Sequence, residues 1–107
     1  MTNQEIITKI KETLSPFIEG AKYILYGSRA RGDYHSDSDV DLMIILPDTY
    51  KGKKFADTQY EITERLYDLE LQWNMAIEIS PVILNSQIFS QRVTPFTRNV
   101  LKDGVEL

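Results

Sequence analysis

Leu25-Tyr26-Gly27-Ser28-Arg29-Ala30-Arg31-Gly32-Asp33-Tyr34-His35-Ser36-Asp37-Ser38-Asp39-Val40-Asp41-Leu42 is the most informative stretch of this chain. The apolar run Ala21 to Tyr26 predicts a strand that breaks at Gly27-Ser28. Ser28 to Arg31 reads as a short helix ending at Gly32, and the polar residues Asp33 to Ser38 read as a loop. Ten residues after Ser28 comes Asp39-Val40-Asp41, heading a second apolar run, Val40 to Leu46, that is closed by Pro47-Asp48. This second run predicts a buried strand.

Side chains alternate across a strand, so Asp39 and Asp41 share one face and Val40, Leu42 and Ile44 the other. Two neighbouring carboxylates repel, and a divalent cation relieves the repulsion. Mg²⁺ suits such a pair, because it takes hard oxygen ligands from a few carboxylates and substrate phosphates. Taken alone, Asp-x-Asp reads more readily as a strand-start cap and a loop charge, and the Gly27-Ser28 ten residues upstream changes that weighing. Gly27-Ser28 lies where a strand becomes a helix: glycine admits close backbone approach, and the first helical N–H groups lack internal partners and can face an anion. Arg29, in the first turn, is expected at a phosphate. Arg31, two residues on, is expected to pair with a carboxylate or pack structurally. No Gly-Lys-Ser/Thr follows, so this is no Walker A loop.

Working away from this stretch, residues 3–19 predict an amphipathic helix with Ile6, Ile7, Ile10, Leu14, Phe17 and Ile18 at helical spacing, Thr2 as N-cap, and Pro16 disturbing the last turn. Residues 55–71 carry a second helical stripe through Phe55, Ile62, Leu66 and Leu69. Trp73 to Leu84 reads as a third strand, with Pro81 marking an edge or bulge. Ser86 to Gln91 reads as one helical turn. Thr94-Pro95 reads as the start of a last helix reaching Gly104, with Thr94 as N-cap. The expected architecture is α/β (α+β): one domain over residues 1–107, with a small mixed sheet of three or four strands flanked by helices. Glu78, between Ile77 and Ile79, is expected on the face opposite both. His35, the single histidine, reads as a loop residue, and Trp73, Tyr60 and Tyr67 as core or partner surface.

Composition narrows the partners. The chain has 107 residues, a formal charge of −4 and no cysteine, which excludes disulfides and thiolate metal sites. No apolar run reaches the length of a membrane span, and residues 1–20 lack a secretory signal pattern. A cytoplasmic location is the expectation. Lysines and arginines are scattered, the densest group being Lys51-Gly52-Lys53-Lys54, so extended nucleic acid is not the expected partner. A small anionic substrate or a protein is.

Gly-Ser-Arg-Ala-Arg-Gly (27–32) followed by Ser-Asp-Ser-Asp-Val-Asp-Leu (36–42) resembles the signature of the minimal nucleotidyltransferases, the small branch of the DNA polymerase β-like superfamily. The tail Pro95-Phe96-Thr97-Arg98-Asn99-Val100-Leu101-Lys102-Asp103-Gly104 is similar to that family's Pro-Phe-Tyr-x-x-Val-x-x-Glu-Gly ending, with Thr97 in place of the aromatic and Asp103 in place of the glutamate. The resemblance implies the polymerase β-like nucleotidyltransferase fold. It also implies a third carboxylate on a neighbouring strand, for which Glu78 is the candidate. That position is often Asp, and Glu is one methylene longer. The implied roles are Gly27, Ser28 and Arg29 on a nucleotide triphosphate, Asp39 and Asp41 on Mg²⁺, and Glu78 on a second metal or the proton of the attacking hydroxyl.

The resemblance further implies transfer of a nucleotidyl group, AMP from ATP foremost, to a hydroxyl. The short chain leaves no room for an acceptor-binding domain, so the acceptor is small or is a partner. Minimal nucleotidyltransferases commonly pair with small helical HEPN-domain toxins, and some modify a toxin tyrosine while acting as antitoxin. Two alternatives stay open at this point: an inactive nucleotidyltransferase-fold module that neutralises its partner by contact, and an enzyme acting on a small molecule such as an aminoglycoside. Homo-oligomer formation is open as well.

Overall fold

The computed structural model describes residues 1–36, 38–91 and 95–107, with the side chains of 95, 96 and 99 apart. Thr2 opens helix α1 (Asn3–Leu14) with a capping box: its hydroxyl accepts the Glu5 N–H while Glu5 reaches back to the Thr2 backbone. The helix buries Ile6, Ile7, Ile10 and Leu14. It ends earlier than the periodicity suggests, because Pro16 cannot continue the ladder. The chain instead turns through Phe17 and Ile18, whose N–H groups both return to the Leu14 carbonyl.

Strand β1 (Lys22–Tyr26), helix α2 (Ser28–Arg31) and strand β2 (Val40–Leu46) form as expected from sequence. β1 and β2 pair antiparallel, with Tyr26 opposite Asp41. Helix α3 (Gly52–Gln72) then crosses over to strand β3 (Ile79–Asn85), which lies parallel to β2 with Val40 beside Ile79 and Asp41 beside Ser80. The third strand thus starts six residues later than Trp73. Residues Trp73 to Ala76 turn instead: Asn74 and Met75 have φ of 54° and 58°, and the Met75 N–H caps the Glu70 carbonyl at 2.9 Å. Trp73 reads as strand because it is apolar, but it packs half-buried against the core at the end of α3. Tyr60 and Tyr67 stand exposed on α3. Pro81 is tolerated in β3 because β3 is an edge strand.

Asn85 links β3 to helix α4 (Ser86–Gln91): its amide oxygen accepts the Ile88 N–H at 2.8 Å and its amide nitrogen donates to the Tyr50 carbonyl. Helix α5 (Pro95–Asp103) follows; the N-cap expected at Thr94 and the packing of Phe96 lie outside the described residues. Val105–Glu106 then forms β4, an edge strand antiparallel to β1, completing the mixed sheet order β3-β2-β1-β4. Two residues are too few for periodicity to announce a strand. Gly104 makes the pairing possible, since a Cβ there would meet the Val100 carbonyl and the Ile24 side chain.

The sheet has two unlike faces. Val40, Leu42, Ile44 and Leu46 join Tyr23, Leu25, α1 and α3 in the larger core. Met43 and Ile45 face a smaller cluster with Val100, Ile24, Val82, Leu84 and Phe89. Alternation places Asp41 on the Met43 side. Among the described residues no helix is long and apolar enough to cross a membrane. Leu42 is fully buried, so Leu42→Ala is expected to lower unfolding free energy by about 3 kcal/mol through lost burial and an uncollapsed cavity. Thr2→Ala, which removes only the cap, is expected to lower it by about 1 kcal/mol. Urea denaturation followed by circular dichroism measures both.

Candidate active site

Gly27 is the pivot between β1 and α2. Its φ of 75° lies in the left-handed region, and a Cβ at this position would collide with the Asp41 carboxylate. The bare Cα therefore leaves Asp41 the space it occupies across from Tyr26. The Gly27 carbonyl accepts the N–H groups of Ala30 and Arg31, which closes the short helix and leaves the N–H groups of its first turn outside the helical ladder. Ser28 is the first residue of that turn, half-buried beside Gly27.

Asp39 is exposed at the end of the loop, just before β2, and Asp41 is half-buried within it. Burial pushes the Asp41 carboxyl above its ordinary value near 3.8, the Asp39 charge pushes it further, and the Arg31 guanidinium draws it back. Tyr26, opposite Asp41, is likewise pushed up by burial and then by the Asp41 charge. The expected pair thus comes together at the end of the sheet where β1 finishes and β2 begins.

Glu78 lies one residue before β3, exposed between buried Ile77 and Ile79. Its carbonyl accepts the Val40 N–H at 2.8 Å, which sets its backbone beside Asp39. Among the described residues no three of His, Cys, Asp and Glu converge as a metal-holding group. The arrangement is a pair, Asp39 and Asp41, with Glu78 on the neighbouring chain segment. Glu70, by its spacing a residue of the polar face of α3, belongs to the same neighbourhood. Its carboxyl is raised by burial, lowered by a hydrogen bond from the Ile79 backbone, and raised by the charges of Glu78 and Asp39. Only the turn after α3 brings Glu70 to β3, so no spacing rule could have found it.

Arg29 is placed differently from the expectation. Instead of facing a ligand it is 3% exposed. Its Nε donates to the Ser38 carbonyl at 2.9 Å, one terminal nitrogen to Asn3 Oδ1 at 2.8 Å, and the other to the Ser36 carbonyl at 3.1 Å. Its guanidinium also stacks over the Tyr34 ring at 4.9 Å. Each nitrogen of the planar fork is thus engaged by an oxygen of the protein itself. Arg31 pairs with Asp33, as expected, at 3.5 Å on the exposed surface. His35 belongs to the loop, its N–H donating to Ser38 Oγ at 2.8 Å.

The chain is similar to known proteins in sequence and in fold. Residues 5–104 match the nucleotidyltransferase domain family. Two proteins of Methanocaldococcus jannaschii, each named "Putative protein adenylyltransferase", are similar in sequence. One is 36% identical over 107 residues, covering 96% of this chain and 96% of the relative. The other is 30% identical over 84 residues, covering 78% and 73%. Two solved structures share the fold. A chain of a toxin–antitoxin crystal structure with AMP-PNP has a TM-score of 0.60 at 19% identity, over 97% of this chain and 71% of that one. A "putative nucleotidyltransferase" from Sulfolobus solfataricus has a TM-score of 0.52 at 21% identity, over 95% and 76%. The chain belongs to the nucleotidyltransferase domain family, and it is a nucleotidyltransferase enzyme.

The raised Asp41 carboxyl has a consequence for stability. A folded-state value above the unfolded one means that the folded protein holds the proton more tightly. Stability from this group is therefore greatest below the unfolded value and falls as pH rises through the folded one. Asp41→Asn is expected to raise the melting temperature of the metal-free protein at pH 7, and the gain is expected to shrink as pH falls toward the ordinary carboxylate range. Calorimetric scans of both proteins from pH 7 down to that range check the sign.

Proposed function

We propose that this enzyme transfers AMP from ATP, with Mg²⁺, to a hydroxyl of a protein partner, a tyrosine of a small helical HEPN-type toxin being the leading acceptor, and so acts as an antitoxin. The observation that carries the reading is the Asp41 carboxylate held against bare Gly27, with the Asp39 charge acting on it. Support for the nucleotide comes from the family and from the toxin–antitoxin fold neighbour, whose crystal structure is one with AMP-PNP. Support for a protein acceptor comes from the names of the two archaeal relatives.

The donor set fits a hard divalent cation. Asp39 and Asp41 offer carboxylate oxygens only, and their mutual repulsion is the condition a cation relieves. Mg²⁺ often uses one or two carboxylates and completes its shell from phosphates and water, so a pair suffices. Asp39 and Asp41 are the residues that would hold it. When bound, Mg²⁺ supplies positive charge against the phosphate oxygens and the attacking oxygen.

The chain's own residues do the rest. The first-turn N–H groups at Gly27-Ser28 and the Ser28 hydroxyl hold the triphosphate. With the α-phosphorus beside Asp39 and Asp41, the acceptor hydroxyl attacks it in line. A bond forms between acceptor oxygen and α-phosphorus. The bond from α-phosphorus to the oxygen bridging the β-phosphorus breaks, and pyrophosphate leaves with that electron pair. Glu78, exposed at the same end of the sheet, takes the hydroxyl proton. Positioning and charge neutralisation account for most of the acceleration.

The test uses ATP labelled at the α-phosphate, Mg²⁺, and the protein encoded beside this one. Label is expected on a tyrosine of that neighbour and is expected to be lost with EDTA. Asp39→Ala and Asp41→Ala are each expected to reduce transfer by roughly a hundredfold or more, the scale of removing a preorganised charge from a transition state. Label absent, with a stable complex formed equally by wild type and Asp41→Ala, would replace this reading by neutralisation through contact alone.

A further inference from the structure

We infer that Arg29 is a positioning residue: its buried guanidinium, anchored on Asn3 of α1, sets the loop that delivers Asp39 to Asp41. The inference rests on the proposed nucleotide and metal roles of those aspartates and names what holds one of them in place.

Asp39 lies outside the strand that fixes Asp41, at the end of an exposed polar loop. Such a segment has many backbone conformations of similar energy, and a carboxylate carried on it is poorly placed unless something restrains the chain. Arg29 supplies the restraint. Its Nε holds the Ser38 carbonyl at 2.9 Å. That carbonyl belongs to the peptide unit whose nitrogen is Asp39's, so fixing its direction fixes the plane from which Asp39 departs. A terminal nitrogen of Arg29 holds the Ser36 carbonyl at 3.1 Å, and the guanidinium lies over the Tyr34 ring. On the far side of Asp39, the Val40 N–H is bound to the Glu78 carbonyl at 2.8 Å. Asp39 is thereby gripped through the peptide units on both sides.

The clamp itself has an anchor. Asn3 Oδ1 accepts from Arg29 at 2.8 Å, and Asn3 Nδ2 donates to the Arg29 backbone carbonyl at 3.2 Å. One amide thus binds both ends of the same arginine, tying α2 to the first turn of α1. A buried guanidinium with partners at each nitrogen is strongly directional, and a lysine ammonium cannot reach all these acceptors from one point. Groups that orient metal ligands from behind commonly contribute 10- to 100-fold in metal affinity or activity.

The test compares wild type with Arg29→Lys and Asn3→Ala by two readouts. Amide hydrogen exchange of the ligand-free protein reports the loop through the Ser38 N–H, bonded to the His35 carbonyl at 3.1 Å, with the Val40 N–H as the strand reference. Calorimetric titration of Mg²⁺ at fixed AMP-PNP reports the aspartates. Arg29→Lys is expected to speed Ser38 exchange by about tenfold, leave Val40 protected, and raise the Mg²⁺ concentration at half-saturation by roughly tenfold. Asn3→Ala is expected to move both in the same direction by less, and it carries the same criteria if Arg29→Lys does not fold. Unchanged Ser38 exchange overturns the clamp. Faster exchange with an unchanged Mg²⁺ requirement overturns the positioning role and leaves a merely structural one. A wild type that binds no AMP-PNP with Mg²⁺ overturns the nucleotide reading and the inference with it, an outcome distinguished by failing before any substitution is made.

Discussion

The Asp41 carboxylate occupies the volume that any side chain at position 27 would need. This steric exclusion ties the site to the fold. The antiparallel register of β1 and β2 places Tyr26 opposite Asp41, so the next residue must turn away beneath that carboxylate. Glycine does so with φ of 75°, and the chain enters α2 directly after it. The turn into α2 and the placement of Asp41 are two sides of one contact.

Carboxylates gathered at one end of a sheet repel one another and work against the fold. Asp41 is raised by burial and by Asp39; Glu70 is raised by burial, Glu78 and Asp39. Carboxylates that shift one another's titration in this way cluster at functional sites. Arg31 offsets part of the repulsion, but it is exposed and already paired with Asp33. The large core on the other face, where Val40, Leu42, Ile44 and Leu46 meet α1 and α3, supplies the burial that tolerates this strain. β2 thus carries core residues on one face and begins the other with an acid.

Much of this was legible in residue order, where the determinants are local. The capping residue Thr2, the strand on either side of the motif and the closing helix at Ser28 to Arg31 depend on spacing alone. The nucleotidyltransferase family was legible for the same reason: Gly27-Ser28 and Asp39-x-Asp41 stand a fixed ten residues apart. Chain order left Arg31 a carboxylate partner or a packing role and Pro81 an edge or a bulge; the fold selects the Asp33 partner and the edge strand.

Long-range contacts fixed the remainder. Helical periodicity continues past Leu14 in the sequence, and Pro16 stops it in the fold. Trp73 reads as strand by its apolar character, yet the turn through Asn74 and Met75 delays β3 to Ile79 and brings Glu70 beside it. β4 exists because Gly104 lets its two residues reach β1. Arg29 is the clearest case. From spacing it is a first-turn cation beside an anion cradle, and nothing local forbids that role. Its partners, Asn3, Ser36 and Ser38, lie up to 26 residues away and converge only in the folded chain. Chemical type and periodicity are local properties, so the sequence specified which groups could act; which of them faces a ligand and which is held inward depends on contacts between distant segments, and these exist only once the sheet and its helices have packed.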